Sequence, residues 1–378
     1  MTAVTEKIQF RGLNSLRFFA AFLVVIGHIP LNQESVGLPH PSNAAVFFRG
    51  APAVYFFFVL SGFLITYILL QERERTGTIN IGNFYLRRIL RIWPVYFSII
   101  GFGLFFYNVL LPMFGIPYRI EYQIWLAVTF YAFFLPNLMN SLYSVGGILN
   151  PSWSIGIEEQ FYLVWAPVTR YFHDRLPLVC WAVLFAFLLV FCLEENNVFG
   201  LEAGKRFSGQ LKFHFIAAGA LAAWYLHRRR EAFLGASCFA NRFVQFLLLA
   251  LLLDFVILST ISWGWFMTEV VQLVLYTWLV VNVAANPRSI VPVGHRVTEY
   301  LGKISYGIYM FHMIAVYATS QVFKSTVWWR DSLPLYCVAY YAMVFGLVIL
   351  IASLSYRFFE TPFLRLKDRL HSQNALTR

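Results

Sequence analysis

The sequence predicts an all-α polytopic membrane protein with about ten transmembrane helices, one re-entrant segment and no soluble domain. Three observations carry that reading. Of 378 residues, 59% are hydrophobic and 19% aromatic. Only 12% are charged, where a soluble domain carries about 25%. Apolar runs near the roughly 20 residues needed for a span recur along the whole length. Such a composition excludes an ordinary cytosolic enzyme, a disordered chain and a fibrous repeat. Residues 1–378 read as a single integral-membrane domain with a polar cytoplasmic tail over about 367–378.

The runs fall near 13–31, 51–71, 92–113, 123–140, 157–173, 177–193, 209–227, 242–260, 264–285, 303–323 and 334–356. The first has no small-residue cleavage site after it and reads as a retained span. Loop charge then orients the chain, because Lys and Arg collect on cytoplasmic loops. Arg73, Arg75, Arg87, Arg88 and Arg91 mark one inner segment, and Arg228, Arg229 and Arg230 a second. Arg288, Arg296 and Lys303 mark a third, while Glu194, Glu195 and Glu202 read as outside. Lys7 and Arg11 inside, with Arg357, Arg365, Lys367 and Arg369 also inside, require an even number of crossings. One run must therefore not cross. The run 123–140 leads through Leu135-Pro136-Asn137 to Gly146-Gly147 and Asn150-Pro151. Irregular backbone at membrane depth has to be covered by protein, so 114–156 reads as an outer loop with a partly inserted element.

The net charge of +11 is explained chiefly by this topology, with part of it left for an anionic ligand and none needed for nucleic acid. Cys180, Cys192, Cys238 and Cys337 are scattered and support neither a disulfide framework nor a metal site. No Walker loop, Gly-x-Ser-x-Gly elbow or metal-spaced His pair is present.

Ionisable residues inside spans are functional candidates. Arg17 and His28 lie eleven residues apart, about 20° past three full turns, on one stripe and about 16 Å apart along the axis. That spacing suits an anionic donor held at one end and proton transfer at the other. The competing reading is a snorkelling Arg and a His bonded to a neighbouring helix. Arg87, Arg88 and Arg91 place three guanidinium groups over one turn, able to fork onto phosphate or to serve topology alone. Glu158 and Glu159 open an apolar helix, where Ser154 also reads as a cap. Adjacent residues diverge by about 100°, so one of the two carboxylates is expected to face His28 and orient its imidazole. His312 and His214 read as helix-packing histidines, and Ser61-Gly62 as a close-packing step. Asp254 and Glu269, on consecutive helices, would form the relay of a proton-coupled transporter of a lipid-linked sugar or small acid. That is the alternative function.

Six segments, in order, resemble the membrane-bound acyltransferase-3 group of polytopic O-acyltransferases. They are the opening Leu13-Asn14-Ser15-Leu16-Arg17 with ten residues before His28; the stretch 55–65 around Ser61-Gly62; the run 87–94 ending Trp93-Pro94; Ser152-Trp153-Ser154 before Glu158-Glu159-Gln160; the stretch 301–312 with Ser305-Tyr306 and Phe311-His312; and 356–363 with Glu360-Thr361-Pro362. This sequence has Asn14 where many members carry Asp. The resemblance implies transfer of an acyl group, usually acetyl, from cytosolic acyl-CoA to a hydroxyl of a polysaccharide or lipid-linked oligosaccharide. It implies a catalytic His28 aided by Glu158 or Glu159, an acyl-CoA site at Arg17, Arg87, Arg88 and Arg91, and supporting places for Ser61, Trp153, Tyr306 and His312. No cofactor or metal is implied beyond acetyl-CoA as donor substrate. The partners expected are membrane lipids, the glycan acceptor and other polysaccharide-assembly proteins. The location expected is a bacterial cytoplasmic (inner) membrane with both termini inside. Some members carry an added soluble catalytic domain, for which this sequence leaves no room.

Overall fold

A computed structural model describes residues 10, 12–40, 50–198, 200, 202–326 and 332–366. Lys7, Arg11, Lys367, Arg369 and the tail 367–378 lie outside the described residues. Among those described, the ordered secondary structure is helical throughout. The helices that concern us are α1 (Leu13–Ser35), α2 (Gly50–Thr76), α3 (Ile81–Phe105), α4 (Ile124–Ala132), α5 (Pro136–Leu142), α6 (Ser152–Tyr171) and α7 (Leu176–Glu195). After them come α8 (Glu202–Gln210), α9 (Phe213–Arg228), α10 (Arg242–Leu253), α11 (Trp265–Ala285), α12 (Arg296–Lys303), α13 (Ser305–Lys324) and α14 (Leu333–Leu354).

Ten of them, α1, α2, α3, α6, α7, α9, α10, α11, α13 and α14, follow one another in alternating direction. Side-chain bonds fix which ends meet. Asn32 and Gln33 at the end of α1 join Ser320 late in α13 and Tyr336 early in α14. Arg73, late in α2, donates to Arg170 O late in α6, and Arg87, early in α3, to Glu72. Lys212, just before α9, and His214 meet Glu269 early in α11, whereas Arg230 beyond α9 reaches Ala285 O at the end of α11. The start of α1 and the basic loops thus share one end of the bundle, called here the basic end.

Six described segments are long and apolar enough to cross a membrane: Leu13–Ser35, Gly50–Thr76, Ile81–Met113, His173–Glu195, Trp265–Ala285 and Leu333–Leu366. The chain is a multi-pass membrane protein. The expected runs at 157–173, 209–227, 242–260 and 303–323 are helical too, but fall short of that measure. α9 has 16 residues and α10 has 12 before a π-helical turn at Asp254–Leu258. α6 and α13 carry carboxylates, serines and a histidine that lower their hydropathy. The third span begins earlier than its apolar run: Asn80 Oδ1 accepts from Asn83 N at 2.9 Å and starts α3 before the arginines.

Packing is closest between α2 and α9. A Cβ on Gly62 would strike Ile216 O, and one on Gly219 would strike Val59 O, so the two backbones touch at reciprocal glycines, as small-residue membrane interfaces do. α7 and α14 lie at the periphery and turn most of their apolar side chains outward, as a lipid-facing helix must.

The run 123–140 is broken. α4 ends at Ala132, Phe134 adopts φ +55°, and Pro136 starts α5. The break lies against α3 and α6: Phe134 stacks on Tyr96 with centroids 4.7 Å apart, Tyr96 Oη donates to Tyr131 O at 3.1 Å, and Gln160 Nε2 donates to Phe134 O at 2.8 Å. Its bent backbone is covered by protein, as a re-entrant element requires.

Candidate active site

The start of α1 is clamped by α12. Asn14 Nδ2 donates to Glu299 Oε2 at 3.0 Å, and Ser15 Oγ to Glu299 Oε1 at 3.0 Å. A Cβ on Gly302 would strike the Asn14 backbone. The clamp extends to the first site residue, because Asn14 Oδ1 accepts from Arg17 Nη1 at 3.3 Å. Arg88 and Arg91 of α3, with Glu158 and Tyr162 of α6, stand close enough to act on the Arg17 charge.

In this lower tier Glu158 Oε2 accepts from Tyr162 Oη at 2.7 Å, and Ser61 of α2 lies beside both. The Arg88 guanidinium lies over the rings of Phe84 at 5.7 Å and Tyr162 at 5.6 Å. Its Nε is buried and has no hydrogen-bond partner among the described residues. A buried donor without an acceptor is costly and favours an anionic ligand there. Arg17, Arg88, Arg91 and Glu158 come together with Ser61 and Tyr162. Arg87 does not join them; it is paired with Glu72 at 3.0 Å, because its position on α3 faces the end of α2.

Glu159 diverges from Glu158 by the turn of the helix. Its Oε2 accepts from Trp93 Nε1 at 3.0 Å, while Oε1 is buried with no partner among the described residues. Tyr306 lies nearby and donates to Ile92 O at 2.9 Å, tying α13 to α3.

The upper tier lies about 16 Å along α1. His28 Nδ1 is 2.8 Å from Val24 O. A carbonyl only accepts, so Nδ1 carries the proton and Nε2 keeps a lone pair. The His312 ring stands edge-on to His28 with centroids 4.8 Å apart at 67°. His312 Nδ1 bonds Tyr309 O, and its Nε2 is buried with no partner among the described residues. Tyr309 Oη donates to Pro151 O at 2.8 Å and meets Ser154 Oγ at 2.7 Å. Trp153 stands edge-on to Phe58 at 5.9 Å, and Gly50 lies close to the His28 ring. Two imidazoles therefore offer lone pairs at one place, each with its other nitrogen anchored to backbone.

Several expectations are corrected. Neither Glu158 nor Glu159 bonds His28; Glu158 meets Tyr162 and stands beside the Arg17 and Arg88 charges, and Glu159 meets the Trp93 indole. Ser154 caps nothing, since α6 begins at Ser152; it bonds Tyr309. Asp254 and Glu269 form no relay. Asp254 accepts from Thr260 and Ile261 in the turn after α10. Glu269 Oε1 accepts from Lys212 Nζ at 2.8 Å and from His214 Nε2 at 2.9 Å. Tyr162, Tyr309 and Glu299 are not singled out by the sequence reading. Tyr162 could have been found as the i+4 neighbour of Glu158; Glu299 gives no local signal.

A family model described as an acyltransferase domain matches residues 10–353. A relative from Staphylococcus aureus strain MSSA476, whose name places it provisionally among O-acetyltransferases, is 26% identical over 390 residues, covering 95% of this chain and 58% of its own length. The O-acetyltransferase OatA of Staphylococcus aureus strain NCTC 8325 is 25% identical over 368 residues, 93% of this chain and 56% of its own. The chain thus spans little more than half the length of these relatives. No solved structure gives a significant match.

Proposed function

The chain belongs to the acyltransferase-3 family, and from that premise we propose that it moves an acyl group, in the first place acetyl, from acyl-CoA to a hydroxyl of a cell-surface or lipid-linked glycan. The observation that carries the reading is the two-tier site: guanidinium groups with an unpaired buried donor at one level, and two imidazole lone pairs about 16 Å away at the other. Acyl-CoA enters from the basic end, which is cytoplasmic by the distribution of Lys and Arg. Arg17, Arg88 and Arg91 hold its pyrophosphate, and the pantetheine arm carries the thioester up to His28. All ten antiparallel helices then count as spans, with both termini cytoplasmic, in a bacterial cytoplasmic membrane.

His28 Nε2 takes the proton of the acceptor hydroxyl as its oxygen attacks the thioester carbonyl. The carbon–sulfur bond breaks, an ester forms, and the departing thiolate takes the proton back from the imidazolium as CoA thiol. General-base help of this kind is worth about 10²–10⁴-fold. A transient acyl group on His28 would lead to the same products. No observation favours the transporter, because its two carboxylates are committed to separate contacts.

The test is glycan O-acetyl content, read by NMR, in a strain lacking the chain and complemented with wild type or His28→Ala. The variant is expected to insert normally and restore no acetylation. Full restoration would remove His28 from the mechanism.

A further inference from the structure

A second set of cations at the basic end surrounds a cavity of about 230 Å³. Arg73 and Glu74 contribute from the end of α2, His173 from the turn before α7, and His227 and Arg228 from the end of α9. Arg73 is fixed in place. Its Nη1 donates to Arg170 O at 3.2 Å and its Nη2 lies 2.8 Å from His173 Nε2. A guanidinium can only donate, so His173 Nε2 receives with its lone pair and the ring proton sits on Nδ1. That N–H is buried and has no acceptor among the described residues. Asp174 Oδ2, 3.0 Å from the same Nε2, could bond it only with the proton moved there, setting one N–H against that of Arg73. The carboxylate on the wall, Glu74, is 69% exposed and pairs with His227 Nε2 at 3.4 Å, so solvent screens it. Two guanidinium groups and the unanswered N–H of His173 suit a tetrahedral dianion, a phosphate monoester.

Position along the bundle narrows the choice. Arg88 lies over Tyr162 and Arg73 bonds Arg170. Those two residues of α6 are about 12 Å apart along the helix, the cavity being farther from His28. Passing down the bundle, the order is the imidazole pair, the Arg17–Arg88–Arg91 group, and then this cavity. Acyl-CoA carries its groups in that same order: thioester, pyrophosphate, ribose 3′-phosphate. We propose that the cavity binds the 3′-phosphate of the donor nucleotide and makes the protein discriminate CoA from its 3′-dephospho form. The proposal rests on acyl-CoA being the donor. An anionic lipid headgroup presents the same phosphate chemistry, and the experiment separates the two.

Purified protein in phosphatidylcholine vesicles is titrated with CoA and with 3′-dephospho-CoA. Wild type is expected to bind CoA at least about tenfold more tightly, the worth of a charge-assisted bond or two. Arg73→Gln and Arg228→Gln should bring CoA down to the dephospho level and leave 3′-dephospho-CoA binding unchanged. Arg17→Ala should weaken both ligands alike and keep their ratio. Equal wild-type affinities would overturn the subsite while leaving the donor reading intact; failure to bind either ligand would overturn the donor reading itself. Loss of the CoA preference when phosphatidylglycerol is added would assign the cavity to lipid and end the proposal.

Discussion

At the scale of single residues, Asn14 shows why a small side chain can matter. It donates to Glu299 and accepts from Arg17, a double role that an ionised Asp cannot fill because it has no donor. Asn14→Asp should set two carboxylates face to face at the start of α1. Thermal unfolding in detergent is expected to show a loss of about 1–3 kcal/mol, and Glu299→Gln in the same background should recover part of it. The buried triad offers a sharper case. Lys212 and Glu269 are each only 5% exposed, and Lys212 Nζ sits 4.1 Å from the Phe191 ring centroid. Removing one partner leaves an uncompensated buried charge, worth about 3–5 kcal/mol. Glu269→Gln should therefore unfold at markedly lower temperature, while Lys212→Met with Glu269→Gln lies closer to wild type. A double variant no better than the single one would show that the pair is not what holds this corner.

At the scale of elements, the α2–α9 contact makes the clearest prediction. With Ile216 O against Gly62 and Val59 O against Gly219, any side chain forces the helices apart. Gly62→Leu should cost more than the about 1–3 kcal/mol of ordinary overpacking, and Ser61 would move with α2. Lowered thermal stability with reduced CoA affinity is expected; an unchanged melting curve would contradict the backbone contact. The existence of the helices was legible in the sequence because lipid imposes length and apolarity on each span. The limits of α3 were less so, since the arginines break the apolar run while Asn80 starts the helix ahead of them. The placement of Arg17 and His28 on one stripe was legible from spacing alone. The partner of His28 was not. His312 lies 284 positions away and meets His28 through the packing of α1 against α13, which no local pattern encodes. The same holds for Glu158, whose place beside the Arg17 and Arg88 charges follows from helix packing rather than from its neighbours in sequence.

At the scale of the whole molecule, ten antiparallel helices bring the arginines of α1, α2, α3 and α9 to one face. Under the proposed function a large polyanion enters at that face and a glycan at the opposite one, and such a protein would risk becoming a conduit. The bent segment at Phe134 would answer that risk. Its ring packs among Tyr96, Trp93 and Phe97, with centroids 4.7, 5.2 and 5.6 Å away, beside the indole that holds Glu159. Under that function the aromatic cluster would act as electrical insulation: the acyl group would pass while protons and ions are stopped, and the cell would keep its transmembrane voltage. Phe134→Gly also relaxes the left-handed backbone there, so its loss of the ring can be read with little added strain. Vesicles holding that variant should dissipate an imposed proton gradient faster than wild type, as a pH-sensitive dye would record; equal leak rates would mean that the barrier lies elsewhere in the bundle.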